Sequence, residues 1–261
     1  MARVDAPAPR LARETDLVDW DEHAVEAAGG HVFQSRAWAE HRARSGWRPR
    51  FFVCADGARV LALERRWPIV GGGSAYVPRG PVPIAGGAER ADLLIAVAAA
   101  LAEEGTDVVA ADPEVPADDE RYLRVVREAG FRPIEEIQPS RHRIALALRS
   151  LDEAAALAGI AKSTRQRIRA AERGGLRVVR QDTRAADGPG EGFVEPDEPP
   201  EPTFERFADM LEATGERRGF RFGRADFVAW WTAALGAGHV VFLEARDADE
   251  PIAGLLLYRH G

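Results

Sequence analysis

Arg50-Phe51-Phe52-Val53-Cys54-Ala55-Asp56-Gly57-Ala58-Arg59-Val60-Leu61-Ala62-Leu63-Glu64-Arg65 decides the fold class. Residues 50–55 and 58–65 are rich in β-branched, aromatic and apolar side chains. Asp56-Gly57 between them is a strong two-residue hairpin signal. A hairpin here, followed by a strand over 74–78, makes consecutive strands neighbours. That excludes a doubly wound nucleotide fold built from repeated βαβ units.

Working outward, residues 21–28 and 35–44 read as short helices, with Ser35 at an N-cap and Trp38 on the apolar side. Gly71-Gly72-Gly73 is a loop, and Gly80-Pro81 closes the strand 74–78. An apolar helix over 88–104 precedes a strand at 107–111. A helix over 118–130 ends at Gly130, and 143–148 reads as a strand. After Arg149 come helices at 151–159 and 162–173 and a strand at 176–180. Helices at 203–218 and 225–236 follow, then strands at 239–245 and 251–258 joined by a turn at Asp247 to Glu250. The whole is α/β of the mixed α+β type, in two domains, 1–150 and 151–261. The last strand, Ile252-Ala253-Gly254-Leu255-Leu256-Leu257-Tyr258, is strongly apolar and stands three residues from the end. Such a strand normally has something packed beyond it, so the expectation is that the sequence given is incomplete.

The 261 residues are 46% hydrophobic and 30% charged, with a net charge of −7. That composition supports a packed core and excludes a general nucleic-acid coat. Any phosphate contact must come from a local basic patch. Cys54 is the single cysteine, so no intrachain disulfide and no cysteine zinc cluster can form. No signal-peptide pattern opens the chain. Its longest apolar run, Leu93 to Ala102, is too short for a membrane span. The expected location is the cytoplasm, with no transmembrane segment.

Three segments carry chemistry. Residues 161–180 hold Lys162, Arg165, Arg167, Arg169, Arg173, Arg177 and Arg180 against one acid, Glu172. On a helix, Arg165, Arg169 and Arg173 share one face. Two readings stand side by side: a phosphate-rich ligand such as RNA or a nucleotide, or a solvated face. The second would be neutralised by residues 185–202, which carry six acids and five prolines and read as a flexible loop. The run Thr214-Gly215-Glu216-Arg217-Arg218-Gly219-Phe220 reads first as a helix end, with Gly219 at C′. Tyr76-Val77-Pro78-Arg79-Gly80-Pro81 is a strand ending in a rigid turn, with Arg79 a candidate anion contact. The six histidines show no metal-ligand spacing, and G-x-S-x-G, Walker A and G-x-G-x-x-G motifs are absent. No metal is assigned.

In order along the chain, Phe33-Gln34-Ser35-x-x-Trp38, the Tyr76 to Pro81 run and Lys162-x-Thr164-Arg165-x-x-Ile168-Arg169-x-Ala171-Glu172-Arg173-x-Gly175 resemble the FemABX peptidyltransferases. Thr214-x-x-Arg217-x-Gly219-Phe220 and Pro251-Ile252-Ala253-Gly254 extend the resemblance, which covers the chain from about residue 17. It implies two tandem acetyltransferase-like (GNAT) domains, the second incomplete here. It also implies an aminoacyltransferase of peptidoglycan synthesis, acting in cell-wall biogenesis and cell shape. The donor is an aminoacyl-tRNA. The acceptor is the stem-peptide amine of a UDP-linked or lipid-linked muropeptide, with peripheral contact at the inner face of the membrane.

The resemblance carries a substrate-binding role onto Trp38, Arg42, Tyr76, Arg79 and Arg217. Arg42 and Arg217 fall at positions associated with the precursor's diphosphate, so the two are expected to converge. Lys162, Arg165, Arg169 and Arg173 are the implied tRNA-binding residues. An aminoacyl ester is already activated, so no cofactor is needed, and no residue stands out as a catalytic base. Family members usually continue for several dozen residues into a Lys-containing, Phe-Gly-rich ending that is absent here. The stretch 185–202 looks like an insertion. Two other readings remain. An acyl-CoA-dependent GNAT N-acyltransferase lacks support, because no R/Q-x-x-G-x-G/A loop occurs. A non-catalytic RNA-binding module conflicts with the −7 charge and with the lack of stacking aromatics near 162–173.

Overall fold

A computed structural model describes residues 8–69, 71–87, 89–135, 152–219 and 223–261. In chain order the elements are β1 (Arg10–Leu11), α1 (Glu14–Val18), α2 (Trp20–Ala24), α3 (Arg36–Arg44), β2 (Arg48–Val53), β3 (Arg59–Arg66), β4 (Gly73–Val77), α4 (Arg90–Glu103), β5 (Val108–Ala111) and α5 (Glu120–Glu128). Then follow α6 (Glu153–Gly159), α7 (Lys162–Arg173), β6 (Arg177–Gln181), α8 (Pro200–Arg218), α9 (Arg224–Gly236), β7 (Val240–Asp247) and β8 (Glu250–Tyr258). The strands form two sheets, ordered β1-β2-β3-β4-β5 and β6-β7-β8. The architecture is mixed α+β. No described helix is long and apolar enough to cross a membrane.

The chain groups into two compact units. The first holds the described residues up to Glu135, with Gly223–Val240 and Tyr258–Gly261. The second holds the rest of the described residues, up to α8 and then Val241–Leu257. A division near residue 150 falls outside the described residues, as does the strand expected at 143–148. The first unit takes α9 from late in the chain, because α9 packs on α3. Trp230 meets the Trp38 ring edge-on at 4.6 Å, and His41 Nδ1 is 3.0 Å from the carbonyl of Asp226.

In the first sheet β1 to β4 are antiparallel neighbours, and β4 and β5 are parallel, with Tyr76 opposite Ala110. α4 is the crossover that a parallel pair requires. It buries Leu93, Leu94, Val97 and Leu101 against Val60, Ala62, Ala75 and Val77 of β3 and β4. The β2–β3 turn is one residue longer than the sequence suggests. Cys54 N–H donates to Ala58 O at 2.9 Å, so three residues make the loop. Gly57 closes it at φ 93°, the left-handed position that favours glycine. Ser35 Oγ accepts the Trp38 N–H at 3.0 Å and starts α3 where the cap signal put it. The helix expected over 21–28 is shorter, ending at Ala24. Gly29, at φ 78°, turns the chain back so that His31 N–H bonds the Ala24 carbonyl.

Along the chain a strand, helices and two consecutive strands beside it occur twice, β1 with β2-β3 and β6 with β7-β8, although α9, one of the two helices between β6 and β7, belongs to the first unit. Phe204 and Phe207 of α8 pack on Phe242 of β7 at 5.3 and 5.0 Å. A Cβ on Gly254 would lie 2.5 Å from the Phe207 ring, so β8 approaches α8 only because residue 254 is glycine. The stretch 185–202 is not the free loop expected. Val194 N–H donates to Val178 O at 2.8 Å, and residues 200–202 open α8 with proline at a first-turn position that tolerates it. Asp197 and Glu198 are drawn in by charge. Glu244 is fully buried and bound by Arg246 Nε at 2.6 Å, and the surplus guanidinium groups of Arg246 and Arg206 take Asp197 and Glu198.

Candidate substrate-binding site

The 3-10 turn Val32–Gln34 enters α3, and its last residue locks three segments together. Gln34 is fully buried. Its Nε2 donates to Pro78 O at 2.6 Å and to Leu61 O at 3.2 Å, while its Oε1 accepts the Leu61 N–H at 2.8 Å. A Cβ on Gly80 would stand 2.7 Å from that Nε2, so the Pro78–Gly80 backbone lies flat on the amide. Sequence reasoning quoted Gln34 in a motif but gave it no role. A glutamine among apolar residues just before a helix cap was the available signal.

From this anchor α3 projects Trp38 and Arg42, one helical turn apart. Trp38 is buried and stacks on Phe33 at 4.3 Å. The indole N–H groups of Trp38 and Trp230 are buried without a hydrogen-bond acceptor among the described residues. The Arg42 guanidinium lies 5.6 Å from the Trp38 ring and 5.5 Å from the ring of Trp47, in the turn after α3. Arg65 of β3 lies 5.7 Å from the same Trp47 ring.

The environment pulls the Arg42 pKa down, first through burial and then through the charge of Arg65, while Tyr76 of β4 favours the charged form. An arginine remains charged regardless. Neither Arg42 nor Arg65 has a carboxylate partner among the described residues. Two mutually repelling guanidiniums beside indole faces form a site that an anion, phosphate above all, would relieve. The structure therefore brings Trp38, Arg42 and Tyr76 together and adds Trp47 and Arg65, which the sequence reading missed.

Arg79 follows β4 with its backbone in the left-handed region at φ 52°. Its N–H donates to Asp112 Oδ1 at 2.8 Å, and its guanidinium stands 3.4 Å from Asp112 Oδ2. This arginine thus already has a carboxylate partner. Beyond β5, His31 Nδ1 accepts the Phe33 N–H at 3.0 Å, so the ring's remaining proton is on Nε2, 3.2 Å from Glu114. Glu114 also lines a 340 Å³ cleft with Arg90 and Tyr122. Burial pushes the Tyr122 phenol up to about 12. Among the described residues no group of three His, Cys, Asp or Glu could hold a metal ion.

In the second unit Arg217 is exposed on the last turn of α8, where its guanidinium donates to Thr214 Oγ1 at 3.2 Å. Gly219 ends the helix at φ 78°, its N–H bonding Gly215 O at 2.7 Å, as a C-terminal glycine should. The basic helix α7 divides its arginines. Arg165 turns to the end of α6, donating to the carbonyls of Leu157 at 3.2 Å and Ala158 at 3.0 Å, and to that of Ile160. Lys162, Arg169 and Arg173 share an exposed face at i, i+7 and i+11, and Arg167 is exposed on the opposite one. None of these four has an ion pair among the described residues. Asp197 and Glu198, two of the acids in the stretch read as neutralising the helix, are engaged by Arg246 and Arg206.

No protein-family model matches this chain, and no curated protein matches it. Among solved structures, the crystal structure of FemX superposes with a TM-score of 0.67 over 90% of this chain, at 19% sequence identity. The chain spans 57% of the FemX chain. The likeness establishes a FemX-like fold.

Proposed function

We propose that this chain is an aminoacyltransferase of the FemABX kind, carrying an amino acid from aminoacyl-tRNA to the stem-peptide amine of a peptidoglycan precursor. The observation that carries the reading is the half-buried Arg42. It lies between Trp38 and Trp47 beside Tyr76, with no carboxylate to neutralise it among the described residues. Its place in a FemX-like fold supports a diphosphate as the missing anion. Arg65 adds a second cation to the same site; for Arg217, in the second unit, a phosphate-contact role rests on the resemblance alone. The exposed face of Lys162, Arg169 and Arg173 supports contact with the tRNA backbone. The recurring order of strand, helices and paired strands supports a two-unit GNAT-like plan.

In the reaction the neutral stem-peptide amine attacks the ester carbonyl. The new C–N bond forms as the ester C–O bond breaks, and the amine's proton ends on the released ribose oxygen. The chain's part is to hold the two substrates together, which alone can supply several kcal/mol of the barrier. No side chain is assigned as the base. The test is to incubate the protein with tRNA charged with labelled amino acids and with UDP-linked or lipid-linked muropeptide. Label on the stem peptide, reduced in Arg42→Ala, is the expected result. No transfer, together with no binding of either muropeptide, overturns the reading.

A further inference from the structure

One face of the first sheet gathers a row of side chains beside the end of α3. The register pairs Arg48 with Glu64 and Arg65 with Ser74, so the position just before β2 sets Trp47 opposite Arg65. Opposed residues share a face, and successive ones alternate. Trp47, Arg65 and Ser74 therefore stand in one row, with Tyr76 on the same face two residues along β4. The alternation also sorts the charges. Glu64 and Arg66 belong to the other face, where Glu64 is bound by Arg50, Arg66 and the Thr106 hydroxyl. Arg65 is left on its own face with no carboxylate partner among the described residues.

The turn that ends α3 completes the row. Gly46 takes φ 82°, and the Trp47 N–H returns to Arg42 O at 3.2 Å. The indole thereby comes to lie between two guanidiniums, Arg42 at 5.5 Å and Arg65 at 5.7 Å from its ring centre. The Arg65 Nη2 reaches the same turn, 3.7 Å from where a Cβ on Gly46 would stand. Ser74, across the ladder from Arg65, is half-buried, and its hydroxyl has no hydrogen-bond partner among the described residues. Two cations held by one ring repel each other, and a ligand with two adjacent negative charges matches them one for one.

We propose that Arg65 and Ser74 form a separate subsite for a second phosphate, with Trp47 the positioning residue that spaces Arg65 from Arg42. This rests on the function proposed above and deepens it. Arg42 takes one phosphate of the acceptor, and the Arg65 guanidinium and the Ser74 hydroxyl take the next. Together those two side chains offer donors to more than one oxygen of the same phosphate. Both phosphates thus find partners within the first unit, and the site selects a diphosphate over a monophosphate. Trp47, Arg65 and Ser74 all lie outside the motifs that carry the resemblance to the FemABX enzymes.

The test is titration calorimetry of the whole chain with one muropeptide carrying either a diphosphate or a monophosphate at its sugar C1. The wild type should bind the diphosphate about tenfold tighter, the scale of one added hydrogen bond to a charged group. Arg65→Gln and Ser74→Ala should each lower diphosphate affinity about tenfold and leave monophosphate affinity as it was. Arg65 is exposed and Ser74 half-buried, so both variants should melt with the wild type. Trp47→Leu should weaken both ligands, because it releases Arg42 as well, and Trp47→Phe, which keeps a ring face for the guanidiniums, should restore most of the loss. A role in stability alone would move the melting temperature and not the ratio of the two affinities. Equal wild-type affinity for the two ligands overturns the proposal, as does an Arg65→Gln variant that weakens both alike, the result expected if a single phosphate bridges the two arginines. Diphosphate affinity unchanged in Arg65→Gln or Ser74→Ala also overturns it, and Trp47→Phe as weak as Trp47→Leu removes the positioning role. These failures all occur in a protein that binds muropeptide. A wild type that binds neither form, nor the UDP-linked one, strikes the transferase reading itself.

Discussion

Gln34 Nε2 donates a 2.6 Å hydrogen bond to the carbonyl of Pro78. Through it, the entry to α3 and the end of β4 become one rigid piece, although 44 positions separate the two residues. The helix that carries Trp38 and Arg42 is thereby fixed against the strand that carries Tyr76. Replacing Gln34 by leucine leaves the Pro78 carbonyl and the Leu61 N–H and carbonyl buried without partners from this side chain. Each such group costs about 1–3 kcal/mol, so the loss should reach about 3 kcal/mol or more. Urea unfolding measures it. A loss below about 1 kcal/mol would mean that Gln34 is not the clamp.

Arg42 should behave in the opposite way. It is half-buried with no anionic partner among the described residues, so Arg42→Ala should leave stability unchanged or slightly raised. The same change should weaken muropeptide binding by about 1.5–3 kcal/mol, the scale of a hydrogen bond to a charged group. Arg42→Lys should recover only part of that, since lysine keeps the charge and loses the paired donors. Titration calorimetry with UDP-linked muropeptide separates these outcomes. Unchanged affinity in Arg42→Ala would remove the diphosphate assignment.

The features that the sequence exposes are the local ones. The Ser35 cap and the Gly219 helix end rest on contacts within a few residues and are present, the Asp56-Gly57 turn is present with one residue more than its signal suggests, and the apolar face of α4 shows in its own composition although its partners lie on β3 and β4. Gln34 was not legible, because its partners lie 27 and 44 positions away. Trp47 and Arg65 join the site only because β2 and β3 run back past the end of α3. The start of α8 was misread for a different reason. A Pro-rich run looks like a loop, yet proline in the first helical turn forfeits no hydrogen bond. The membership of α9 in the first unit depends on Trp230 meeting Trp38 and His41, which no periodicity reveals.

His41 predicts a pH dependence of stability. Its ring is buried, and because a carbonyl can only accept, Nδ1–H must donate to Asp226 O. Burial lowers its pKa below the ordinary 6.5, with Arg42 and Arg44 pulling the same way and the Asp226 contacts opposing. A histidine depressed in the folded state is protonated more readily when unfolded, so stability is full above the unfolded value and falls as pH drops through it. The protein should therefore lose stability as the pH falls through the ordinary histidine value of about 6.5 and below it. Asp16, Asp197 and Glu198 are also held below their usual range by arginine hydrogen bonds, and their contribution disappears only at lower pH. His41→Asn, which keeps a donor for Asp226, should flatten the upper part of the curve. An unchanged slope would show that other groups carry it.

The division of labour on α7 separates a structural arginine from a binding face. Arg165 satisfies carbonyls at the end of α6, where a helix leaves them without partners. Arg165→Gln should then cost about 1–2 kcal/mol of stability in the second unit. Lys162, Arg169 and Arg173 are exposed and without ion pairs among the described residues, so changing all three to glutamine should cost within about 0.5 kcal/mol. If this face meets the tRNA backbone, that triple change should lower the slope of log affinity against log salt by about 0.7 for each phosphate left unneutralised, or about 2 in all. Arg165→Gln should leave the slope as it was. Filter binding of aminoacyl-tRNA at several salt concentrations, with circular dichroism on the same samples, reads both effects. A triple variant with the wild-type slope would make this a solvated face and nothing more. A slope that changes with Arg165→Gln instead would mean that its guanidinium leaves the α6 carbonyls to reach the nucleic acid.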